Sequence, residues 1–255
     1  MRKTIIGYKN IVADYSTLVA TSEAAGYEVI NLTTWLPYEW YGVASTGIQY
    51  VTFTYASAQT IDYIGIFSHN LSETGSSLSL EYFDGVDWMP IVTALATSNS
   101  QVIMRAFTPV TSDQFRLKLN SGSLDLKIGI VSFGEYLEME TGADGGFALP
   151  HLETKDKAVN GMSETGLLLG RSIIAKYGTA NFNFSVITQQ WVRNNWIDFI
   201  DHAKTKPFFI SWNNDQYPDD AIFGITSKDI RSPRFNEGEI MSLSLSCDAW
   251  HTLRV

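Results

Sequence analysis

The chain has 255 residues, enough for one large or two ordinary domains, and its 45% hydrophobic and 18% charged content fits a folded core. With 18 basic against 27 acidic side chains the net charge is −9, which excludes the basic footprint of a nucleic-acid binder and disfavours electrostatic docking on anionic membranes. One cysteine, Cys247, excludes an internal disulfide framework, and no apolar run is long enough for a secretory signal or a membrane-spanning helix.

Along the first half the apolar pattern has period two. Val51, Phe53 and Tyr55 alternate with Tyr50, Thr52 and Thr54, which predicts a strand with one buried face. Ile61 to Phe67 is a short, dense apolar run, the pattern of an inner strand. Ser68 to Ser77 is a polar loop. Leu78, Leu80 and Tyr82 then alternate with Ser79 and Glu81, and Asp84-Gly85 before Trp88 is a hairpin turn. Phe115, Leu117 and Leu119 alternate with Gln114, Arg116 and Lys118, and Ile128, Ile130 and Phe133 close the series. Short strands at this spacing predict a β-sandwich or jelly roll over residues 1–138.

Residues 139–167 change character. An acidic, glycine-rich stretch is followed by a polar one, which reads as a linker or long loop and marks a boundary. Beyond it, Phe182, Phe184 and Val186 alternate with polar residues in a strand. Val192, Trp196, Phe199, Ile200 and Ala203 recur at helical spacing, so residues about 189–203 form an amphipathic helix, with Thr188 as its N-cap. Phe208 to Trp212 resumes strand, and Met241, Leu243, Leu245 and Cys247 alternate with three serines. The expected fold is mainly β, with residues 168–255 a smaller β-sandwich flanked by one helix.

No constellation for catalysis emerges. His69, His151, His202 and His251 are far apart and lack metal-ligand spacing, and no nucleophile elbow or phosphate loop is present. Cys247 falls on the apolar face of a strand, so it reads as core. Asp219-Asp220 and Glu138/Glu140 read as solvated carboxylates rather than a glycosidase pair, and Asn213-Asn214-Asp215 as a turn rather than a calcium loop. No catalytic residue, metal or cofactor is therefore expected, and no enzyme. The aromatic loop Trp35 to Tyr41 is the most informative local feature. Trp35 reads as a plug for the end of the sandwich. Tyr38, Trp40 and Tyr41 leave two readings open, ligand contact at the surface and core packing. His69 and Asn70 either line the same end, or Asn70 bonds its own loop backbone. Trp191, Asn194 and Asn195 lie off the helix's apolar stripe and are candidates for a subunit interface.

Several segments together resemble the discoidin-like, galactose-binding jelly roll over residues about 15 to 137. They are Ala20-Thr21-Ser22-Glu23, Gly26-Tyr27, Asn31-Leu32-Thr33 and Trp35; Tyr50 to Thr54 with Ala58 to Ile66; Leu80-Glu81-Tyr82, Asp84-Gly85 and Trp88; and Phe115-Arg116-Leu117 with Ile128-Gly129-Ile130. The run Ile64 to Leu71 is similar to a variant in bacteriophage tail proteins. Lys206 to Trp212, Tyr217-Pro218-Asp219 and Met241 to Ser246 look like tail-tip or baseplate components. A sandwich with one helix is also similar to the tail-tube unit of distal tail proteins, although there the tube-like part comes first. The resemblance implies a structural protein of a phage tail tip or baseplate, made in the host cytoplasm and carried in the virion. Its second part would assemble copies of the chain into a homo-oligomeric ring, a trimer or hexamer, with other tail or baseplate proteins as partners, and its jelly roll would pack or contact a host glycan. The alternatives are a stand-alone carbohydrate-binding protein and a glycan-degrading enzyme using the scattered carboxylates.

Overall fold

The computed structural model describes residues 3–95, 100–146, 148, 155–214, 216–226, 230–236 and 238–250, and it is built on two antiparallel sheets. In chain order the strands are β1 (Ile5–Gly7), β2 (Thr17–Ala20), β3 (Tyr41–Gly42), β4 (Gly47–His69), β5 (Ser77–Phe83), β6 (Trp88–Leu95), β7 (Ile103–Ser121) and β8 (Lys127–Gly134). There follow β9 (Tyr136–Glu138), β10 (Lys155–Met162), β11 (Leu168–Thr188), β12 (Phe208–Ser211), β13 (Ala221–Thr226), β14 (Arg234–Phe235) and β15 (Ile240–Trp250).

The first sheet has the order β3-β8-β4-β7-β5-β6, with β2 also on β4. Its long strands β4 and β7 break register between Thr54 and Gln59 and again between Ile61 and Tyr63. Such irregularities bend a strand pair. The sheet thereby folds over into a sandwich. Residues 47–54 of β4 and 112–121 of β7 form an outer layer with β2, β5 and β6, and the other ends of β4 and β7 form an inner layer with β8 and β3. The alternating residues close the core as expected: Val51, Phe53, Leu80, Phe115 and Leu117 from the outer layer meet Ile64, Ile66, Val131 and Phe133 from the inner one. Phe53 and Phe133 touch edge to face at 5.3 Å. This jelly-roll sandwich is the one the sequence pattern predicts.

The second sheet has the order β10-β11-β15-β13-β12-β1-β9, with β14 on β15. One face carries Phe182, Phe184, Ile210, Ile222, Leu243 and Leu245 against the helix residues Val192, Trp196, Phe199 and Ala203. Thr188 caps that helix, its Oγ1 accepting the Trp191 amide at 3.2 Å. A π-turn, Val192–Trp196, lies between the α-helical segments Gln189–Trp191 and Ile197–Ala203. The other face, through Ile5, Phe209 and Phe223, packs on Tyr63, Phe67, Met104 and Ile130 of the inner layer. Phe67 and Phe223 stack at 4.5 Å. The molecule is thus four layers deep: outer layer, inner layer, second sheet, helix. Because the inner layer is covered on both sides, the Ile64–Phe67 stretch of β4 is buried throughout, which explains its unbroken apolar sequence.

Two features depart from the sequence reading. Strands β1 and β9 come from the first 138 residues yet sit in the second sheet, where Ile6 pairs with both Ile210 and Leu137. Each is only three residues long, too short to show a period. Residues 155–162, inside the stretch expected as a linker or loop, form β10 and pair with β11 as a hairpin. Its described side chains are exposed on both faces or nearly so, and an unburied strand has no apolar stripe to reveal it. Residues 139–146 run beside the second sheet, where Glu140 accepts from the Thr188 amide at 2.6 Å and the Asp144 amide donates to Asn183 at 2.7 Å. No helix among the described residues is long and apolar enough to cross a membrane.

A Cβ on Gly65 would lie 2.8 Å from ring atoms of Phe209. Gly65→Ala is therefore expected to lower unfolding free energy by about 1–3 kcal/mol in urea titration, the usual cost of overpacking; an unchanged midpoint would show that the interlayer contact is slack. Asp62 on β4 is half-buried and accepts the Tyr136 amide at 2.7 Å. Burial pushes its carboxyl up to about 6, against the lowering effect of that hydrogen bond. A carboxyl raised on folding favours the fold while protonated, and that stabilisation is lost as pH rises through about 6. Asp62→Asn should therefore melt higher than the parent at pH 7 and match it at pH 4. The gap is expected to be about 1 kcal/mol once solvent screening is allowed for; equal melting points at both pH values would refute it.

Candidate binding site

At one end of the jelly roll three segments converge: the loop before β3, the turn after β4, and the approach to β8. Ser68 makes the junction. Its backbone is left-handed at φ 57°, its Oγ accepts the indole N–H of Trp40 at 3.0 Å, and the same hydroxyl donates to the Pro37 carbonyl at 2.5 Å. Asn70 ties the turn to β8, with Nδ2 donating to the Asp125 carbonyl and Oδ1 accepting the Lys127 amide, both at 2.7 Å. Asn31 fixes the aromatic loop from the other side by donating to the Trp40 carbonyl at 2.9 Å.

These ties hold Lys127 between two rings. Its Nζ is 5.3 Å from the ring centroids of both Tyr27 and Trp40, within cation–π range. Tyr38, two residues before Trp40 on the same loop, is 63% exposed. The corner therefore offers flat aromatic surface, an ammonium on a flexible stem and an exposed phenol. Such a set can stack on an apolar ligand face and bond its hydroxyls or an acidic group.

The expected site residues divide. Tyr38 and Trp40 belong to this corner. Tyr41 packs in the core: it is 1% exposed, it donates to the Ser22 carbonyl at 2.7 Å, and burial raises its phenol pKa strongly. His69 is also 1% exposed, with Nε2 at 2.7 Å from the Gln101 carbonyl. Burial lowers its pKa, which favours the neutral ring, and the hydrogen bond to Gln101 braces the loop. The Asn70 side chain bonds the backbone of Asp125 and Lys127 rather than that of its own loop. Trp35 plugs a different place: it is partly buried between the two sheets, 6.3 Å from Phe223 and 6.1 Å from His202. On the helix, Trp191 packs partly on the second core and Asn195 donates to the Trp191 carbonyl at 3.1 Å, leaving Asn194 as the exposed member of that trio.

Two clusters were missed in the sequence. Lys127 stands alone at the head of a strand, and only the pairing of Lys127 with Gly42 brings it beside the aromatic loop. On the outer layer, the Arg116 guanidinium lies 4.2 Å from the ring centroids of both Tyr50 and Trp88 and pairs with Glu81 at 2.6 Å. Glu81 and Arg116 are cross-strand partners on the polar side of the alternation, a signal the sequence did carry. That stack satisfies its own charges and stiffens the sheet.

Of the acidic candidates, Asp219 makes a contact across the fold. Asp219 pairs with Arg105 at 2.6 Å, and Arg105 also donates to the Pro218 carbonyl. Asn214 donates to the Met104 carbonyl at 3.2 Å. The loop before β13 is thus a clasp onto β7. Asp215, His151 and His251 lie outside the described residues. Among the described residues no group of three or more potential metal ligands comes together. Burial pushes the Cys247 thiol up to about 12, in keeping with a core role.

No family model and no curated protein matches the chain. Solved structures do. A pectin-binding carbohydrate-binding module is 20% identical, covering 48% of this chain and 91% of its own, with a TM-score of 0.39. Chitosan-binding module 1 from a chitosanase/glucanase of Paenibacillus sp. IK-5 is 16% identical, over 49% of this chain and 98% of its own, at 0.41. A CBM32 module produced by Clostridium perfringens is 20% identical, over 49% and 98%, at 0.39.

Proposed function

We propose that this protein binds carbohydrate, and that the jelly-roll corner of Tyr27, Tyr38, Trp40 and Lys127 is where it does so. What carries the reading is the pinned pair of rings around Lys127, next to an exposed tyrosine. Sugars present apolar C–H faces to aromatic rings and hydroxyls to charged groups. A corner already fixed by Ser68 and Asn70 loses little entropy when a ligand arrives. Lys127 can leave the rings for a ligand oxygen because its stem is flexible.

A glycan array probed with the full chain tests this. The parent is expected to bind one or a few saccharides weakly, and Trp40→Ala to weaken them by about 10-fold or more while retaining its melting temperature to within a few degrees, the size of loss, roughly 1–3 kcal/mol, that removing one aromatic ring from under a stacked nucleobase causes. An array without a single bound saccharide, or binding indifferent to Trp40→Ala, would sink the assignment.

A second reading is a structural component of a phage tail tip or baseplate. The observation that favours an assembling protein is the β10–β11 hairpin, where Val159, Met162, Leu167, Leu168 and Leu169 are 56–73% exposed. Clustered exposed apolar side chains mark contact surfaces. Light scattering is expected to show a concentration-dependent oligomer that Leu168→Asp dissociates. A parent that stays monomeric at every concentration would remove the support for self-assembly.

A further inference from the structure

Among the described residues, the second sheet has a polar region that neither the jelly roll nor the helix covers. Between the buried leucines of β15 lie Ser242, Ser244 and Ser246, and in register across β11 Ser244 faces Asn183 while Ser246 faces Asn181. The Asn181–Ser246 rung is closed by a 2.7 Å hydrogen bond, and Ser242 donates to Asn236 at 3.3 Å. Between them, the side chains of Asn183 and Ser244 have no partner among the described residues. They help to line a hollow of about 300 Å³. Arg231 and Arg234 enter it from the β14 side, and Asp144 from the far side of β11.

The charges in this hollow are uneven. Among the described residues neither arginine meets a carboxylate at ion-pair distance. Asp144 engages one oxygen with the Ser185 amide and hydroxyl, at 3.3 and 2.9 Å. Two guanidinium groups, an open amide, an open hydroxyl and one remaining carboxylate oxygen therefore share one concavity.

We propose that this hollow is a second ligand site, for an anionic saccharide: a sugar or polyol unit that carries a carboxylate or a phosphate. The planar guanidinium fork recognises either oxyanion in two-point contacts. Asn183, Ser244 and the Asp144 oxygen take the neighbouring hydroxyls. A neutral sugar would leave the arginines uncompensated, and a bare anion would leave the floor unfilled. The site lies on the second sheet and does not rest on the jelly-roll corner.

Titration calorimetry of the full chain with trigalacturonate, glycerol 1-phosphate, neutral galactotriose and inorganic phosphate tests it. One of the two anionic polyols is expected to bind, with an affinity that falls as salt is added. Which of them binds tells carboxylate from phosphate. Arg231→Gln with Arg234→Gln should weaken that ligand by at least about 10-fold, the loss of a charge-assisted contact. Ser244→Leu, which fills the floor and keeps both arginines, should weaken it too. Trp40→Ala should leave it unchanged, which separates this site from the jelly-roll corner. The proposal is overturned if neither anionic polyol binds, if the double arginine variant binds as the parent does, or if inorganic phosphate binds as tightly as the polyols.

Discussion

The contact on which the rest of the molecule depends is the aromatic layer between the jelly roll and the second sheet. Phe67, Phe209 and Phe223 meet there at ring distances of 4.5 and 5.1 Å. The layer closes only where side chains are missing. Gly65 leaves room for the Phe209 ring, and a Cβ on Gly7 would fall inside the contact distance of the Tyr63 ring. Burying large aromatic surfaces on both partners gives the junction the character of a domain core rather than of a loose interdomain contact.

That junction decides where function can reside. With its inner layer covered on both faces, the sandwich has no open inner sheet to offer a ligand. Its available surfaces are the outer layer, where Arg116 is already enclosed by Tyr50, Trp88 and Glu81, and the loop end, where Lys127 sits between two rings. Among the described residues, the jelly roll covers the second sheet over β1, β12 and β13, with Tyr136 of β9 and Trp250 at the end of β15 packed beside them. Over Ser242 to Ser246 of β15 and the facing part of β11 the same face is polar among the described residues, and the serine alternation of β15 is its direct expression in sequence. Two carboxylates that read as solvated in the sequence make contacts within the fold. Asp219 clasps the halves together, and Glu140 receives the Thr188 amide and hydroxyl at 2.6 and 3.0 Å.

Legibility followed burial. Strands with one wet face, such as the Val51–Phe53–Tyr55 stretch and β15, announce themselves by alternation because only one side of them touches the core. The helix was legible for the same reason, with Thr188 marking its start. Elements without a two-sided contrast were silent. β1 is buried on every residue, and the described side chains of β10 are all exposed, so neither shows a period. In the binding corner Tyr38 and Trp40 were legible as loop aromatics, while Lys127 required knowledge that β3 pairs with β8. His69 misled because a polar residue at a strand end reads as surface, whereas Gln101 and the turn enclose it.

The placing of β1 bears on how the chain can reach this structure. Ile6 pairs with Leu137 on one side and with Ile210 on the other, so the first strand is the wall between two strands made long after it. During synthesis the sandwich strands β2 to β8 can find one another while β12 does not yet exist. The second sheet closes only when the late strands arrive to meet an early one. Pairings this remote in sequence are slow to form, because the loop-closure entropy is lost before the contacts repay it. The apolar back of the inner layer, with Phe67 and Met104, stays uncovered until then. The interval between the two closures is when this chain is most exposed to aggregation.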